Sequence, residues 1–199
     1  MLMIGKIVKS NSHTDYVCQV YRTNEVDVPP EPEDCSFGTF VSIQLANGKQ
    51  IVGVIYDTRL FNPEFGNLGP RLSPEQELEI FSPDYLEEKM TLLGIKTIGL
   101  MDGENSVTQG VPGLSIPSDS VVQKMSIDDV KLFHTQGQDN LQLGYAPLLL
   151  EQNNPISRHL LLQIVDFLRI IFPEYKTRLT VLYQEWSWQA RIQPVGGLS

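Results

Sequence analysis

The segment Phe37–Thr58, FGTFVSIQLANGKQIVGVIYDT, decides the fold that this sequence predicts. It consists of two β-type runs joined by Asn47-Gly48, a dipeptide that tolerates the positive φ angles of a type I′ hairpin turn. The second run, Ile51–Ile55, is apolar on both faces, which is typical of a barrel strand with another element packed outside it. Gly53, in the middle of this run, fits a sharp bend or a close backbone contact.

Other β-type runs surround this hairpin. Leu2–Ser10 and Tyr16–Thr23 precede it, and Thr91–Met101 follows it. Several short strands joined by turns indicate a small barrel or sandwich. We therefore predict a mainly β protein with α structure: a small closed β-barrel of about six strands in residues 1–135. A C-terminal α/β extension, made of a helix and a strand segment, is predicted in residues 141–199.

The strand pattern stops at Arg59–Ser73, RLFNPEFGNLGPRLS. A loop of this length is usually functional or packed on the domain as an Ω-loop. We expect Phe61 and Phe65 to pack on the barrel, with Arg71 holding the loop through a hydrogen bond or an ion pair. The alternative is that the loop, from Asn62 to Arg71, is a mobile lid over a binding site.

The segment Pro155–Phe172, PISRHLLLQIVDFLRIIF, has a helical period and an unusually wide apolar arc. Its ionisable residues and a length below about 20 apolar residues argue against a membrane span. We expect a helix that is buried on most sides. The following segment, Thr177–Gln193, is predicted to be a strand, because Trp186 and Trp188 alternate with polar residues.

A single sheet cannot cover so wide an apolar arc. The remaining apolar side chains must meet the tryptophan segment, a second copy of the chain or another protein. The candidate residues for this packing or docking are Arg158, His159, Phe167, Trp186 and Trp188.

Composition limits the function and the location. The formal net charge of −9 over 199 residues argues against a general nucleic-acid binder, which needs a basic surface. Two cysteines, Cys18 and Cys35, are too few for a disulfide framework or a zinc site. With no signal-peptide pattern at the start of the sequence, we expect reduced thiols in a cytoplasmic protein.

Sequence motifs of catalysis are missing. No phosphate-binding loop, G-x-S-x-G elbow or H-E-x-x-H helix occurs. Each histidine (His13, His134 and His159) is interpreted as a surface or capping residue. The cluster Ser12–Asp15 is not read as a catalytic triad, because a base and its nucleophile normally face each other from different elements. The sequence thus predicts no catalytic, cofactor-binding or metal-binding residues.

The order of the segments resembles the HAS-barrel family, whose barrel is shared by HerA-type DNA translocases and the catalytic subunits of rotary ATP synthases. The resemblance covers about residues 3–159. The matching segments are Met3–Ser10, Gly38–Ile43, Gly48, Ile51–Ile55, Ile116–Val122, Met125–Val130, Leu141–Gly144 and Ile156–Leu160. In HerA-type proteins, the Ser-Arg-His segment (here Ser157–His159) leads into a phosphate-binding loop. Here Leu161–Val165 follows instead.

Without that loop, the resemblance implies no ATP binding or hydrolysis. It implies a non-enzymatic interaction or assembly module without a cofactor, such as an adaptor for a multisubunit ATPase or nuclease complex. A protein partner is expected, and a homo-oligomer remains open. Two alternatives are a small-ligand or enzymatic barrel with the 61–71 loop as its lid, and a weak nucleic-acid module that uses Lys6, Lys9, Tyr21 and Arg22.

Overall fold

The computed structural model describes residues 1–46, 48–61, 90–102, 106–135, 140–150 and 155–192. Its strands are β1 (Met3–Ser12), β2 (Asp15–Val20), β3 (Phe40–Gln44), β4 (Gln50–Phe61), β5 (Met90–Met101), β6 (Val107–Gln109) and β7 (Val121–Lys124). Its α-helices are α1 (Ile127–Thr135), α2 (Ala146–Leu150), α3 (Pro155–Ile171) and α4 (Lys176–Ile192). Short 3-10 turns cover Pro32–Cys35 and Pro173–Tyr175.

Six of these strands form a closed antiparallel barrel. The order is β2-β1-β7-β3-β4-β5, and β5 pairs back onto β2 to close the ring. The short strand β6 adds to the end of β5, at Gly99–Met101, outside the closed ring. The prediction of a small closed barrel of about six strands is therefore confirmed.

Strand β4 shows why the barrel needs a second layer. Ile51 and Ile55 belong to the apolar cluster inside the barrel, whereas Val52 and Val54 belong to the cluster shared with the helices. All four are fully buried. A Cβ atom on Gly53 would come within 2.6 Å of Cγ2 of Ile95 and within 3.2 Å of the Lys96 carbonyl oxygen, so the close backbone contact predicted at this glycine is present.

The turn between β3 and β4 differs from the prediction. The carbonyl of Leu45 accepts a hydrogen bond from the Gly48 amide at 3.0 Å, and the Leu45 amide donates to the Lys49 carbonyl at 2.9 Å. Gly48 has a φ of 78°. These bonds match a three-residue loop with glycine in the left-handed position, not a two-residue turn centred on Asn47-Gly48. Asn47 itself lies outside the described residues.

The predicted loop starting at Arg59 was also placed wrongly. Strand β4 continues to Phe61, where Arg59, Leu60 and Phe61 pair with Leu92, Thr91 and Met90 of β5. Arg59–Phe61 are solvent-exposed, so the burial pattern that marks a barrel strand is missing there although the backbone pairing continues. The candidate residues Asn62, Phe65 and Arg71 lie outside the described residues. The same holds for the helix start that Ser82-Pro83-Asp84 predicts.

The helices cover the outer face of the barrel. Helix α3 confirms the predicted C-terminal helix, and it buries residues such as Leu161, Ile164 and Leu168 against the barrel and the other helices. In the described part of the chain, no helix is long and apolar enough to cross a membrane.

The strand predicted for Thr177–Gln193 is wrong, because residues 176–192 form helix α4. Leu179, Tyr183 and Trp186 follow a helical spacing of four and three residues, and all three pack on the helical core. The alternation of Trp186 and Trp188 with polar residues is therefore coincidental. Only Trp186 faces the core, and Trp188 is 64% exposed.

The interpretation of His134 as a surface or capping residue is also wrong. Its ring is fully buried between the barrel and the helices, within 6.4 Å of the rings of Phe40, Phe133, Tyr145 and Phe172. Nδ1 lies 2.7 Å from the Val130 carbonyl, and Nε2 lies 2.8 Å from the Tyr145 hydroxyl. A neutral ring that donates from Nδ1 and accepts at Nε2 satisfies both partners. This histidine is a structural part of the core.

Candidate docking site

An apolar groove of about 350 Å³ opens where α3 passes the start of β3 and the start of α1. We call it the docking groove. Its apolar lining consists of Phe37, Phe40, Met125, Ile127, Val130 and Phe167.

The floor and the walls of the docking groove differ in exposure. Phe40, Met125 and Val130 are buried and form the floor. Ile127 is 55% exposed and Phe37 is 39% exposed, so apolar side chains on its walls remain in water. Contiguous apolar surface with a polar rim is typical of an interaction site.

A tightly held loop presents Phe37. The amide of Gly38 donates to the Ile55 carbonyl at 2.8 Å, and the amide of Thr39 donates to the Ser36 carbonyl at 3.1 Å. Gly38 has a φ of 88°, and a Cβ atom there would come within 2.8 Å of the Gln163 side chain on α3. Glycine is therefore required for the loop to approach the helix.

The other wall is fixed by the cap of α1. The Ser126 hydroxyl accepts a bond from the Asp129 amide at 3.1 Å, and the Asp129 carboxylate accepts from the Ser126 amide at 3.3 Å. This reciprocal pair is a capping box, which the sequence Ser126-Ile127-Asp128-Asp129 indicates. It places Ile127 in the first turn, beside the exposed Asp128.

A second depression lies on the far side of Phe37. It has a volume of about 300 Å³ and is lined by Phe37, Tyr56, Asp57, Thr58, Ile156 and His159. We call it the polar pocket after its four polar side chains, although most of its surface is apolar. The Tyr56 hydroxyl donates to the Asp15 carboxylate at 2.9 Å. Asp57 pairs with Nε of Arg59 at 2.9 Å. Burial, and then the neighbouring carboxylates of Asp15 and Asp57, raise the pKa of Tyr56.

The structure does not bring the predicted C-terminal docking residues together in one site. Phe167 lines the docking groove, and His159, which is exposed, lines the polar pocket. Trp186 lies elsewhere, in a depression of about 260 Å³ against α2 and the segment before it. Arg158 is half-buried and lines neither the groove nor the polar pocket.

Of the candidate loop residues Phe61, Asn62, Phe65 and Arg71, only Phe61 is described. It is 51% exposed, and with Tyr21 and Arg22 it lines a depression of about 310 Å³ beside the start of β5. Burial, the nearby Cys18, and the carboxylates of Glu25 and Asp119 raise the pKa of Tyr21.

The cluster Ser12–Asp15 does not converge on one point. Nε2 of His13 lies 2.7 Å from the Pro112 carbonyl, and the Thr14 hydroxyl accepts from Nζ of Lys96 at 2.8 Å. Asp15 accepts from Tyr56, as described above. Three adjacent side chains with three separate partners cannot act as a catalytic triad. Nor do the described residues contain a cluster of three or more potential metal ligands.

Sequence reasoning missed both walls of the docking groove. Phe37 is the first residue of the predicted hairpin segment, and Ile127 lies within the pattern Ser126–Asp129; neither position predicts an exposed wall. One signal was available. Ile127 directly precedes Asp128 and Asp129 in the first turn of a helix, and acidic residues at that position normally face solvent. Phe37 gives no comparable signal, because its exposure depends on where α3 passes.

Residues 1–196 match the family model "Domain of unknown function (DUF8166)". The chain belongs to this family. No curated protein of sufficient similarity matches it.

Proposed function

We propose that this protein is a non-enzymatic interaction module that binds a partner protein through the docking groove. The observation that carries the proposal is the exposure of Phe37 and Ile127 on either side of an apolar floor. Both side chains are held by hydrogen-bonded backbone, so a partner would not have to order them before binding. Such preorganisation lowers the entropic cost of association.

The packing of the barrel favours this proposal over a ligand-binding barrel. Side chains such as Ile4, Ile43, Ile51, Ile95 and Val122 fill the inside of the ring and are fully buried. An interior filled by side chains behaves as a core and not as a binding cavity. The depressions found among the described residues instead lie between the barrel and other elements, or at the edge of the molecule.

The setting of the interaction follows from the HAS-barrel resemblance. In that family the barrel makes protein contacts, so we propose an adaptor or assembly role beside a multisubunit ATPase or nuclease. The absence of a phosphate-binding loop in the sequence supports a partner that supplies any ATPase activity. We propose a cytoplasmic location, which is supported by two unpaired cysteines, Cys18 and Cys35.

The test is to remove the walls of the groove without disturbing its floor. The full chain is tagged in its native cell, and its partner is identified by mass spectrometry and then purified. Calorimetry measures the dissociation constant for the wild type and for the double variant Phe37→Ala, Ile127→Ser. We expect binding at least tenfold weaker, because apolar anchors in the centre of an interface carry most of its energy.

A matched control is Val111→Ser, since Val111 is 57% exposed and does not line the docking groove. It should bind like the wild type. If the double variant also binds like the wild type while remaining folded, the docking groove is not the interaction site and the proposal is wrong. Equal losses in the control and the double variant would contradict it as well.

A further inference from the structure

We propose that the segment bound in the docking groove is amphipathic and basic: its apolar side chains fill the groove, and lysine or arginine residues at its ends meet Asp57 and Asp128. This inference rests on the proposed interaction function and names the chemistry of the partner. It follows from the acidic groups found on both sides of the groove.

The docking groove and the polar pocket are adjacent and share one lining residue. Phe37 lines both the docking groove and the polar pocket, so it forms the wall between them. A segment that lies in the groove and passes over Phe37 reaches Asp57, which lines the polar pocket. At the opposite wall, Asp128 directly follows Ile127 in the first turn of α1 and is exposed. A carboxylate therefore lies beyond each wall.

The charges of the surrounding elements favour a cation over an anion. Nζ of Lys124 at the groove is already paired with Asp34 at 2.8 Å. The hydrogen bond from Lys124 lowers the pKa of Asp34, although burial opposes the shift. Asp128 and Asp129 add negative charge at the start of α1. The whole chain carries a net charge of −9, which attracts basic partners over the range that salt screening allows.

Around the polar pocket the charges are arranged in pairs. Asp15 faces Nζ of Lys96, which donates to Thr14. Asp57 pairs with Arg59, whose side chain is 73% exposed. An exposed ion pair of this kind contributes little to stability, so an incoming cation can replace Arg59 at low cost. The rings of Phe37 and Tyr56 in the same pocket can also stabilise a cation on their faces.

A peptide library displayed on phage tests the inference with the full chain immobilised. Peptides that bind the wild type, but not the double variant Phe37→Ala, Ile127→Ser, are sequenced. We expect an apolar centre flanked by lysine or arginine. Enrichment of uncharged or acidic flanks would overturn the inference while leaving the proposed function intact. If no enriched peptide depends on Phe37 and Ile127, the inference is also overturned. The proposed function is then tested by the calorimetry with the native partner alone.

The charge contribution is measured on the tightest such peptide by fluorescence anisotropy. We expect Asp57→Asn together with Asp128→Asn to weaken binding about three- to tenfold at low salt and to flatten its salt dependence. Glu174→Gln is the control, because Glu174 is an exposed carboxylate that lines neither depression. Equal binding by the wild type and the double Asp→Asn variant would contradict the inference.

Light scattering on the isolated protein tests the competing occupant, a second copy of this chain. A monomer at micromolar concentration is expected. A dimer that dissociates in the Phe37→Ala, Ile127→Ser variant would show that the groove binds the chain itself, and it would overturn the inference.

Discussion

Helix α3 has two flanks, and the chain treats them differently. On one flank α4 packs against it: Leu179 is fully buried, Tyr183 and Trp186 are partly buried, and the Arg169 guanidinium lies over the Tyr183 ring at 5.7 Å. On the other flank, Gln163 and Phe167 border the docking groove. One flank is closed by the protein's own helix, and the other is left open.

The comparison shows which apolar surface the fold itself requires. The wide apolar arc of α3 is divided among the barrel, α2 and α4, and together they bury its central residues. Ile156 and Ile170 of α3 remain 45% and 77% exposed, so part of the apolar arc is not covered. The docking groove contains apolar residues from three separate elements, the loop before β3, the start of α1 and α3. This arrangement supports an interaction site on that side.

The largest expected effect comes from opening the closed flank. Truncation after Pro173 removes α4 and exposes apolar side chains that Leu179 and its neighbours now cover. Each buried aliphatic or aromatic side chain contributes about 1.5–3 kcal/mol, so the loss is comparable to the whole stability of a small domain. We expect aggregation or new oligomers, measured by light scattering.

The control for this truncation is a chain that ends after Ile192, which keeps the whole of α4. It should remain folded and soluble. A soluble, monomeric product from the shorter chain would show that α4 is dispensable, and the distinction between a closed and an open flank would then fail.

The sequence was sufficient for the barrel and for α3, and insufficient for α4 and for the docking groove. Ile51–Ile55 predicted a barrel strand covered on both faces because alternation and burial are local properties of a strand. Helix α4 was mistaken for a strand because Trp186 and Trp188 fit a period of two as well as Leu179, Tyr183 and Trp186 fit a helical period. The groove depends on how three distant segments meet, and no local pattern encodes that.

A smaller loss of stability is expected when the pH is lowered, because acid protonates His134 in the buried core. Burial lowers the pKa of His134 to about 4, although the hydrogen bond to Val130 opposes the shift. A group whose pKa is depressed on folding stabilises the protein above its unfolded pKa of about 6.5 and loses that contribution as the pH falls towards 4. The difference corresponds to about 3 kcal/mol.

Chemical denaturation of the wild type and of His134→Gln at pH 7 and pH 4 checks this. The variant should be less stable at pH 7, because it disturbs the bonds to Val130 and Tyr145. It should lose less stability than the wild type on acidification, since carboxylates titrate in both proteins and only the histidine differs. Parallel losses in the two proteins would contradict the assignment of a neutral, buried ring.

The smallest expected effect separates the two tryptophans of α4. Trp186 is partly buried and lines the depression with Leu141, Leu143 and Ala146, whereas Trp188 is 64% exposed. We expect Trp186→Ala to lower the free energy of unfolding by about 1–3 kcal/mol, because it removes apolar contacts that the partly buried ring makes with the core. Trp188→Ala should change it by no more than about 0.5 kcal/mol, as is usual for surface positions.

Urea denaturation of the two variants measures this difference, and tryptophan fluorescence gives a second readout because each variant retains one indole. Acrylamide should quench the remaining Trp188 in the Trp186→Ala protein more strongly than the remaining Trp186 in the Trp188→Ala protein, since Trp188 is the more exposed. This order follows from a helix in which residues two apart lie on different sides. In the strand that the sequence suggested, residues two apart share one face, so both indoles would be covered together and both variants would be destabilised alike. Equal quenching and equal losses of stability would therefore favour the strand and remove α4 from the closed flank.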